Sequence, residues 1–336
     1  MQQVALTVAA IVVGVGGMAL YFYGSNWLLD RLLADQVTPD GRVIKSRTRA
    51  RDAIRPWLFV GPALIILTIY LVYPAIQTFL LSFQDALSRN FVGLDNYIWA
   101  VNDPGFQISI RNNILWLIVV PITSTAFGLV VAVLSDRVRW ESMAKSLIFM
   151  PMAISFVGAA IIWRFVYAYR PPGQEQIGIL NAVLVALGGQ PNTWYTEPPL
   201  NNLALMVILI WIQAGFAMVL LSAALKGVPE ETLEAARIDG ASEIQIFFRI
   251  MLPQIITTIT VVMTTIIIVV LKVFDIVFTM TNGQFETEVL ANYMYRWMFR
   301  NFDNGRGSMI AVTIMVAITP ILIWNIIRFH REERSR

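Results

Sequence analysis

Seven stretches of this chain stay apolar for about 20 residues or more, enough at roughly 1.5 Å per residue to cross a hydrocarbon layer of about 30 Å. They run approximately from Val4 to Tyr23, Trp57 to Phe83, Ile110 to Leu134, Ser146 to Tyr169, Leu203 to Leu225, Gln254 to Phe278 and Met309 to Phe329. A protein built on such runs is a polytopic membrane protein, expected to be all-α and helical throughout, with about seven transmembrane helices. Its composition agrees: of 336 residues, 57% are hydrophobic and 14% charged, far from the balance of an ordinary soluble domain.

The charges then give the orientation. Seven basic residues fall between Gly24 and Arg55 (Arg31, Arg42, Lys45, Arg47, Arg49, Arg51, Arg55), and three follow the third span (Arg137, Arg139, Lys145). Three lie between the fifth and sixth spans (Lys226, Arg237, Arg249) and four in the tail (Arg328, Arg331, Arg334, Arg336). Alternating spans put all of these on one side, and the positive-inside bias makes that side cytoplasmic, with the N-terminus periplasmic and the C-terminus cytoplasmic. The first span begins "MQQ", without a basic start, and "MALYFYGSN" offers no small-residue cleavage pattern, so it is read as a retained helix rather than a cleaved leader.

Several chemistries are excluded. The chain has no cysteine and one histidine, His330, so thiolate chemistry, disulfides and a metal site are not expected. A net charge of +3 reads as topology, not as nucleic-acid affinity. No G-x-x-x-x-G-K-[ST] occurs; the nearest glycine run, "GVGGMALY" from Gly14, lies in a span and lacks the lysine. ATP hydrolysis, where needed, belongs to another subunit. No Ser-His-acid set and no closely spaced carboxylate pair suggests a membrane enzyme.

One stretch does not fit a simple row of spans. "EAARIDGASEIQIFFRIMLP", Glu234 to Pro253, is polar and lies between the fifth and sixth spans. Its pattern predicts helix, turn, helix. Pro229 followed by Glu230 and Glu231 suits a first helical turn, "DGA" from Asp239 breaks that helix, and Ser242 with Gln245 forms a capping box for a second. Ile244, Phe247, Phe248 and Met251 recur at i, i+3, i+4 and i+7, giving an apolar ridge bordered by the small residues Ala235, Ala236, Gly240 and Ala241. Such a ridge suits close approach by a partner protein or, equally, an amphipathic helix resting on lipid headgroups.

These residues carry a resemblance. Glu234, Ala235, Ala236, Gly240, Ile250, Leu252 and Pro253 match the EAA motif of bacterial ABC importer permeases. "YPAIQTFLLSF" (Tyr73 to Phe83), "FVGLDNY" (Phe91 to Tyr97), "GILNAVL" (Gly178 to Leu184) and "KVFDIVFTMTNG" (Lys272 to Gly283) extend it to the carbohydrate uptake branch and its maltose-type first permease. The resemblance implies a type I ABC importer transmembrane subunit. Residues 56–336 would form a six-helix permease domain, with the coupling helix at 229–252, and residues 1–55 an extra helix and basic linker. Implied partners are a second homologous permease, two copies of a cytoplasmic ABC ATPase that binds ATP and Mg, a periplasmic sugar-binding protein and membrane lipid. The coupling residues would be Glu234, Ala235, Ala236, Asp239, Gly240, Ile250, Leu252 and Pro253. The extra span with "YFYGSNWLLDRLL" is similar to permeases of α-glucoside uptake systems of Gram-negative bacteria.

A sugar path needs planar polar side chains and aromatic faces within the bundle, and the fifth span offers Trp211, Gln213 and Phe216. The maltose-type resemblance adds Leu209 and Ile212. Core packing is the competing use of these residues. Lys272 and Asp275, three apart on the sixth span, are read as a structural ion pair or as part of the path, and Arg164 as snorkelling toward the interface among aromatic side chains. The outer connection from Arg170 to Pro199 is turn-rich and suits either binding-protein docking or plain solvation. A gradient-coupled secondary sugar transporter, a scaffold that recruits a partner through Glu234 to Pro253, and an importer of another small glycoside or compatible solute remain rival readings.

Overall fold

The computed structural model describes residues 2–37, 43–45, 47–136 and 138–334; Arg42, Arg137 and Arg336, used above for orientation, lie outside them, as do the side chains of Lys45 and of the tail from Arg328. Two compact units emerge, residues 1–77 and 78–336.

In the first unit, α1 (Gln2–Leu32) is joined to α2 (Thr48–Leu67) by a linker that holds a small ribbon, with β1 (Gln36–Val37) antiparallel to β2 (Val43–Lys45). This pair is a departure from the expectation of helix throughout. The two helices meet through a stack of Phe22 on Phe59 at 5.3 Å and a hydrogen bond from the Tyr21 hydroxyl to the Leu58 carbonyl at 3.1 Å. At the linker end, Arg55 pairs with Asp30 at 2.7 Å and Arg51 with Asp35 at 2.9 Å. Within the unit, neither α1 nor α2 buries a side chain in its most apolar window, as expected of helices whose solvent is lipid. After α2 comes a π-helical turn, Thr68–Val72, and then α3 (Tyr73–Leu81).

The second unit is built around α5 (Pro104–Ser135) and α9 (Leu200–Lys226), which pack along each other. A short α4 (Asp95–Asn102) precedes α5. Asp103 caps α5, its carboxylate accepting from the Phe106 amide at 2.8 Å, and Pro104 fits the first turn because no amide donor is needed there. Gly128 explains the tightness of the crossing: a Cβ there would lie 2.5 Å from Cβ of Ala217 and 2.8 Å from the Met218 nitrogen. Trp116, Val120, Leu205, Ile208, Met218 and Leu221 fill the core at this contact.

Among the described residues, five helices are long and apolar enough to span a membrane unbroken: Gln3–Leu32, Thr48–Leu81, Pro104–Ser135, Leu200–Lys226 and Asn304–Trp324. The other two expected spans are bent pairs. The fourth, expected as one rod from Ser146 to Tyr169, is α6 (Glu141–Phe149) continued by a 3₁₀ turn to Ala153, then α7 (Phe156–Val166) at 106°. Pro151 has no amide to continue the ladder, and Ser155 caps a new helix by accepting from the Gly158 amide at 3.1 Å. α8 (Ile179–Ala186) follows in the connection to α9.

The sixth expected span is also revised. A helix entering from Glu243 continues to Gln254, turns by 67° at Ile255, and becomes α13 (Ile256–Leu271), which ends before Lys272. Asp275 begins a separate helix, α14 (Asp275–Met280). Lys272 and Asp275 therefore do not share a helix face, and among the described residues no ion pair joins them. Arg164 does not snorkel freely either: its guanidinium donates to the Met280 carbonyl at 3.3 Å, at the C-terminal end of α14 where a positive charge is favourable. The chain finishes with α15 (Leu290–Tyr295), a π turn at Arg296–Arg300, and α16 (Asn304–Arg334).

Candidate functional site

The polar stretch between α9 and α13 folds as two short helices that make a knuckle. α10 (Glu230–Ile238) follows Pro229, which occupies the cap position, one residue earlier than a first-turn proline. Gly240 ends it with φ of +82°; its amide donates to the Arg237 carbonyl, and the Ala241 amide donates to the Ala236 carbonyl at 3.0 Å. These two bonds are a Schellman closure, which needs a left-handed residue at the glycine position. The space around Gly240 is open, so its glycine is required by backbone conformation and not by a close neighbour in this chain.

α11 (Glu243–Ile246) starts at once, with the expected capping box present: the Ser242 amide donates to Gln245 Oε1 at 2.8 Å, and the Gln245 amide to Ser242 Oγ at 3.4 Å. Arg237 braces the two helices, bonding Glu243 at 2.9 Å and Glu230 at 3.4 Å. These carboxylates, Glu243 foremost, hold the guanidinium even more firmly protonated than usual.

Past Ile246 the helix widens into a π turn, Phe247–Met251, before α12 (Leu252–Gln254). The Leu252 amide reaches back five residues to Phe247. Pro253 has no amide and its ring would crowd the carbonyl four residues earlier, which a wider turn relieves. The apolar positions of the knuckle divide between two faces. Leu233, Ala236 and Ile246 point into the core, at 7%, 9% and 1% exposure, whereas Ile238, Ile244 and Phe248 stand out at 86%, 72% and 60%.

The expected ridge is thus corrected. Ala236 packs inward within this chain, Phe247 and Met251 are half-buried, and Ile238 joins the outward face. Glu234, Ala235, Asp239, Gly240 and Pro253 are exposed, and Ile250 and Leu252 half-buried. Beside this face lies a groove of about 790 Å³ bordered by Asp136, Lys226, Arg237, Ile244, Phe248 and Met251, among others.

At the opposite ends of α5 and α9 a second arrangement appears, which sequence reasoning missed. The loop between α14 and α15 carries Asn282, Phe285 and Glu286 at positive φ (53°, 57° and 58°), a conformation uncommon for non-glycine residues. Four asparagines hold it. Asn112 donates to the carbonyls of Glu286 and Glu288 at 2.7 and 2.8 Å, Asn202 to that of Glu286 at 3.2 Å, and Asn201 to that of Phe285. Asn113 accepts from the Leu290 amide at 2.8 Å. The one available signal was the doubling, Asn112–Asn113 and Asn201–Asn202, each at an end of a long apolar helix.

The connection from Arg170 to Pro199 is organised by another amide. Asn181 on α8, fully buried, donates to the carbonyls of Ala168 and Asn192 and accepts from the Asn192 amide and the Trp194 indole, all within 2.9 to 3.0 Å.

The residues expected along a sugar path on the fifth span fall together on α9. Leu209, Ile212 and Gln213 are buried at 1%, 2% and 6% exposure; Trp211 and Phe216 are half-buried against the same core, Trp211 edge-on to Trp163 at 5.8 Å. Lys272 is exposed and Asp275 half-buried at the break between α13 and α14.

Candidate membrane spans, two of them bent, and a braced helical knuckle that shows apolar residues outward are features of a membrane transport subunit. The chain belongs to the family described as binding-protein-dependent transport system inner membrane component, which matches residues 124–332, and it is accordingly an ABC importer permease, an inner membrane component. It is 58% identical over 333 residues to the alpha-glucoside transport system permease protein AglF of Rhizobium meliloti (strain 1021), covering 99% of both chains. It is 54% identical over 279 residues to the osmoprotective compounds uptake permease protein GgtC of Synechocystis sp. (strain ATCC 27184 / PCC 6803 / Kazusa), covering 83% of this chain and all of that one. Its fold is similar to a chain in the crystal structure of a bacterial ABC transporter involved in the import of the acidic polysaccharide alginate, with a TM-score of 0.71 at 23% identity over 85% of this chain and 99% of that chain.

Proposed function

We propose that this chain carries an α-glucoside across the inner membrane by alternating access, as one of two homologous permeases driven by two copies of a cytoplasmic ABC ATPase and fed by a periplasmic sugar-binding protein. The observation that carries the mechanism is the α10–α11 knuckle, whose bracing is internal and whose apolar residues Ile238, Ile244 and Phe248 are left for a partner. Glu234, Ala235, Ala236, Asp239, Gly240, Ile250, Leu252 and Pro253 form or shape the coupling element. ATP and Mg bind the partner, since this chain has no phosphate-cradling loop, and the chain itself performs no chemistry. Closure of the two ATPases would displace the knuckle as a rigid body and switch the spans between inward-open and outward-open states.

In this reading the knuckle faces the cytoplasm, the N-terminus is periplasmic and the C-terminus cytoplasmic. Residues 1–55 add a helix and a basic linker to a permease domain spanning 56–336. The cargo path runs beside Leu209, Trp211, Ile212, Gln213 and Phe216, with Lys272 and Asp275 at its edge. The α-glucoside rests on likeness to the R. meliloti permease; a compatible solute is the second reading, favoured by likeness to the Synechocystis permease.

Reconstitution with the second permease, the ATPase and the binding protein tests the proposal. ATP-dependent uptake of a labelled α-glucoside is expected; uptake of the osmoprotective solute alone would select the second reading, and uptake driven by an ion gradient without ATPase would refute both.

A further inference from the structure

A polar cluster ties three helices together next to the knuckle. Lys145 on α6 donates to Asp136 at the end of α5, to Glu141 at 2.6 Å and to Ser222 on α9, so all three ammonium hydrogens are used. Ser222 donates onward to Asp136 at 3.0 Å, and Lys226, in the last turn of α9, donates to Glu141. Lys226 is four residues before α10, and Asp136 and Lys226 both border the groove that also holds Glu230, Arg237 and Glu243. The chain of contacts therefore runs from the last turn of α9, four residues before the knuckle, through Glu141 and Lys145, into the first half of the broken span and the end of α5.

The side chains are between 18% and 54% exposed, and ion pairs of that kind add little to stability. What three directed bonds from one ammonium do supply is a fixed relative position, which apolar contacts, able to slide, do not. We infer that Lys145 is a positioning residue that locks α6 and α5 to the knuckle, so that displacement of α10 and α11 is delivered to the α6–α7 bend and not lost in slippage between helices. The inference rests on the importer reading above.

The test uses the complete reconstituted complex in proteoliposomes and reads ATP hydrolysed per cargo molecule moved. Lys145→Met should assemble and hydrolyse ATP while this ratio rises about fivefold or more, the lower range of ordinary coupling energies, and Lys145→Arg should stay near the unmodified ratio. Lys226→Met, at an exposed position that does not threaten folding, should raise the ratio by a smaller factor. An unchanged ratio in Lys145→Met overturns the lock, as does an equal fall in hydrolysis and uptake that Lys145→Arg does not rescue. Should Lys145→Met fail to insert, Lys226→Met decides alone: a raised ratio supports the lock and an unchanged one overturns it. Absence of ATP-dependent uptake in the unmodified complex refutes the importer reading itself, a distinct result.

Discussion

The two ends of α5 and α9 are held by different chemistry. At the knuckle end, ion pairs and helix caps brace a short helical pair, and three large apolar side chains are left exposed. At the other end, neutral asparagine amides fasten the backbone of an unusual loop, whose carboxylates Glu286 and Glu288 pair in addition with Arg111 and Arg296. Neutral amides satisfy buried backbone groups without the desolvation cost of a charge, which suits a permanent joint. Partly exposed ion pairs add little to stability but are directed, and they fix the position of the two short helices in a joint that must bear load from a partner.

The comparison can be broken most severely at the clamp. Asn112→Leu strands the carbonyl of Glu288, worth about 1–3 kcal/mol when buried without a partner, leaves that of Glu286 only its longer bond from Asn202, and should lower the melting temperature of the purified protein more than any other change considered. A melting curve identical to that of the unmodified protein would show the loop to be held elsewhere. Next in size, Gly240→Val forces a β-branched residue to φ of +82°, a penalty of about 1–3 kcal/mol. Gly240→Asn should cost less, because asparagine tolerates this region. Equal loss in the two would contradict the conformational explanation of Gly240.

Ile238→Ser separates surface from scaffold. At 86% exposure the side chain does little for the fold, so the melting temperature should move by less than about 0.5 kcal/mol equivalent, while co-purification of the ATPase with this chain should fall sharply. Retained co-purification would remove Ile238 from the docking face. The smallest effect concerns Asp85, in the loop after α3. Its carboxylate accepts from the Arg89 amide at 2.8 Å and from the Asn90 amide group at 2.6 Å, and these bonds, Arg89 foremost, lower its pKa below 3.8. A depressed folded value means that the contribution is complete above the unfolded pKa and is lost as pH falls through the folded one. Asp85→Asn should therefore show a shallower loss of stability below about pH 4 than the unmodified chain.

Much of this architecture was legible in the sequence, because hydrocarbon leaves a chain few options. The seven apolar runs map onto five unbroken helices and two bent pairs, and the knuckle followed from Gly240, Ser242 and Gln245, whose roles are local. What escaped notice depends on partners distant in sequence or on direction. Counting apolar residues from Ser146 to Tyr169 yields a length and says nothing of a 106° turn, although Pro151 and Ser155 mark its position. Ile238 stands outward and Ile246 inward on two helices separated by the Gly240 turn, and the π turn at Phe247–Met251 adds a residue that strict helical spacing does not anticipate. Asn112 serves carbonyls more than 170 positions away, and a lone polar residue near a span end gives no hint of that.

The crossing of Gly128 over Ala217 has a mechanical meaning. With no room for one added methyl, α5 and α9 are toothed together: neither shear along their length nor rotation about their axes is open to them without first separating. They act as one beam. The sharp turns of this unit lie elsewhere, in its elbows at Ile154–Ser155 and Ile255.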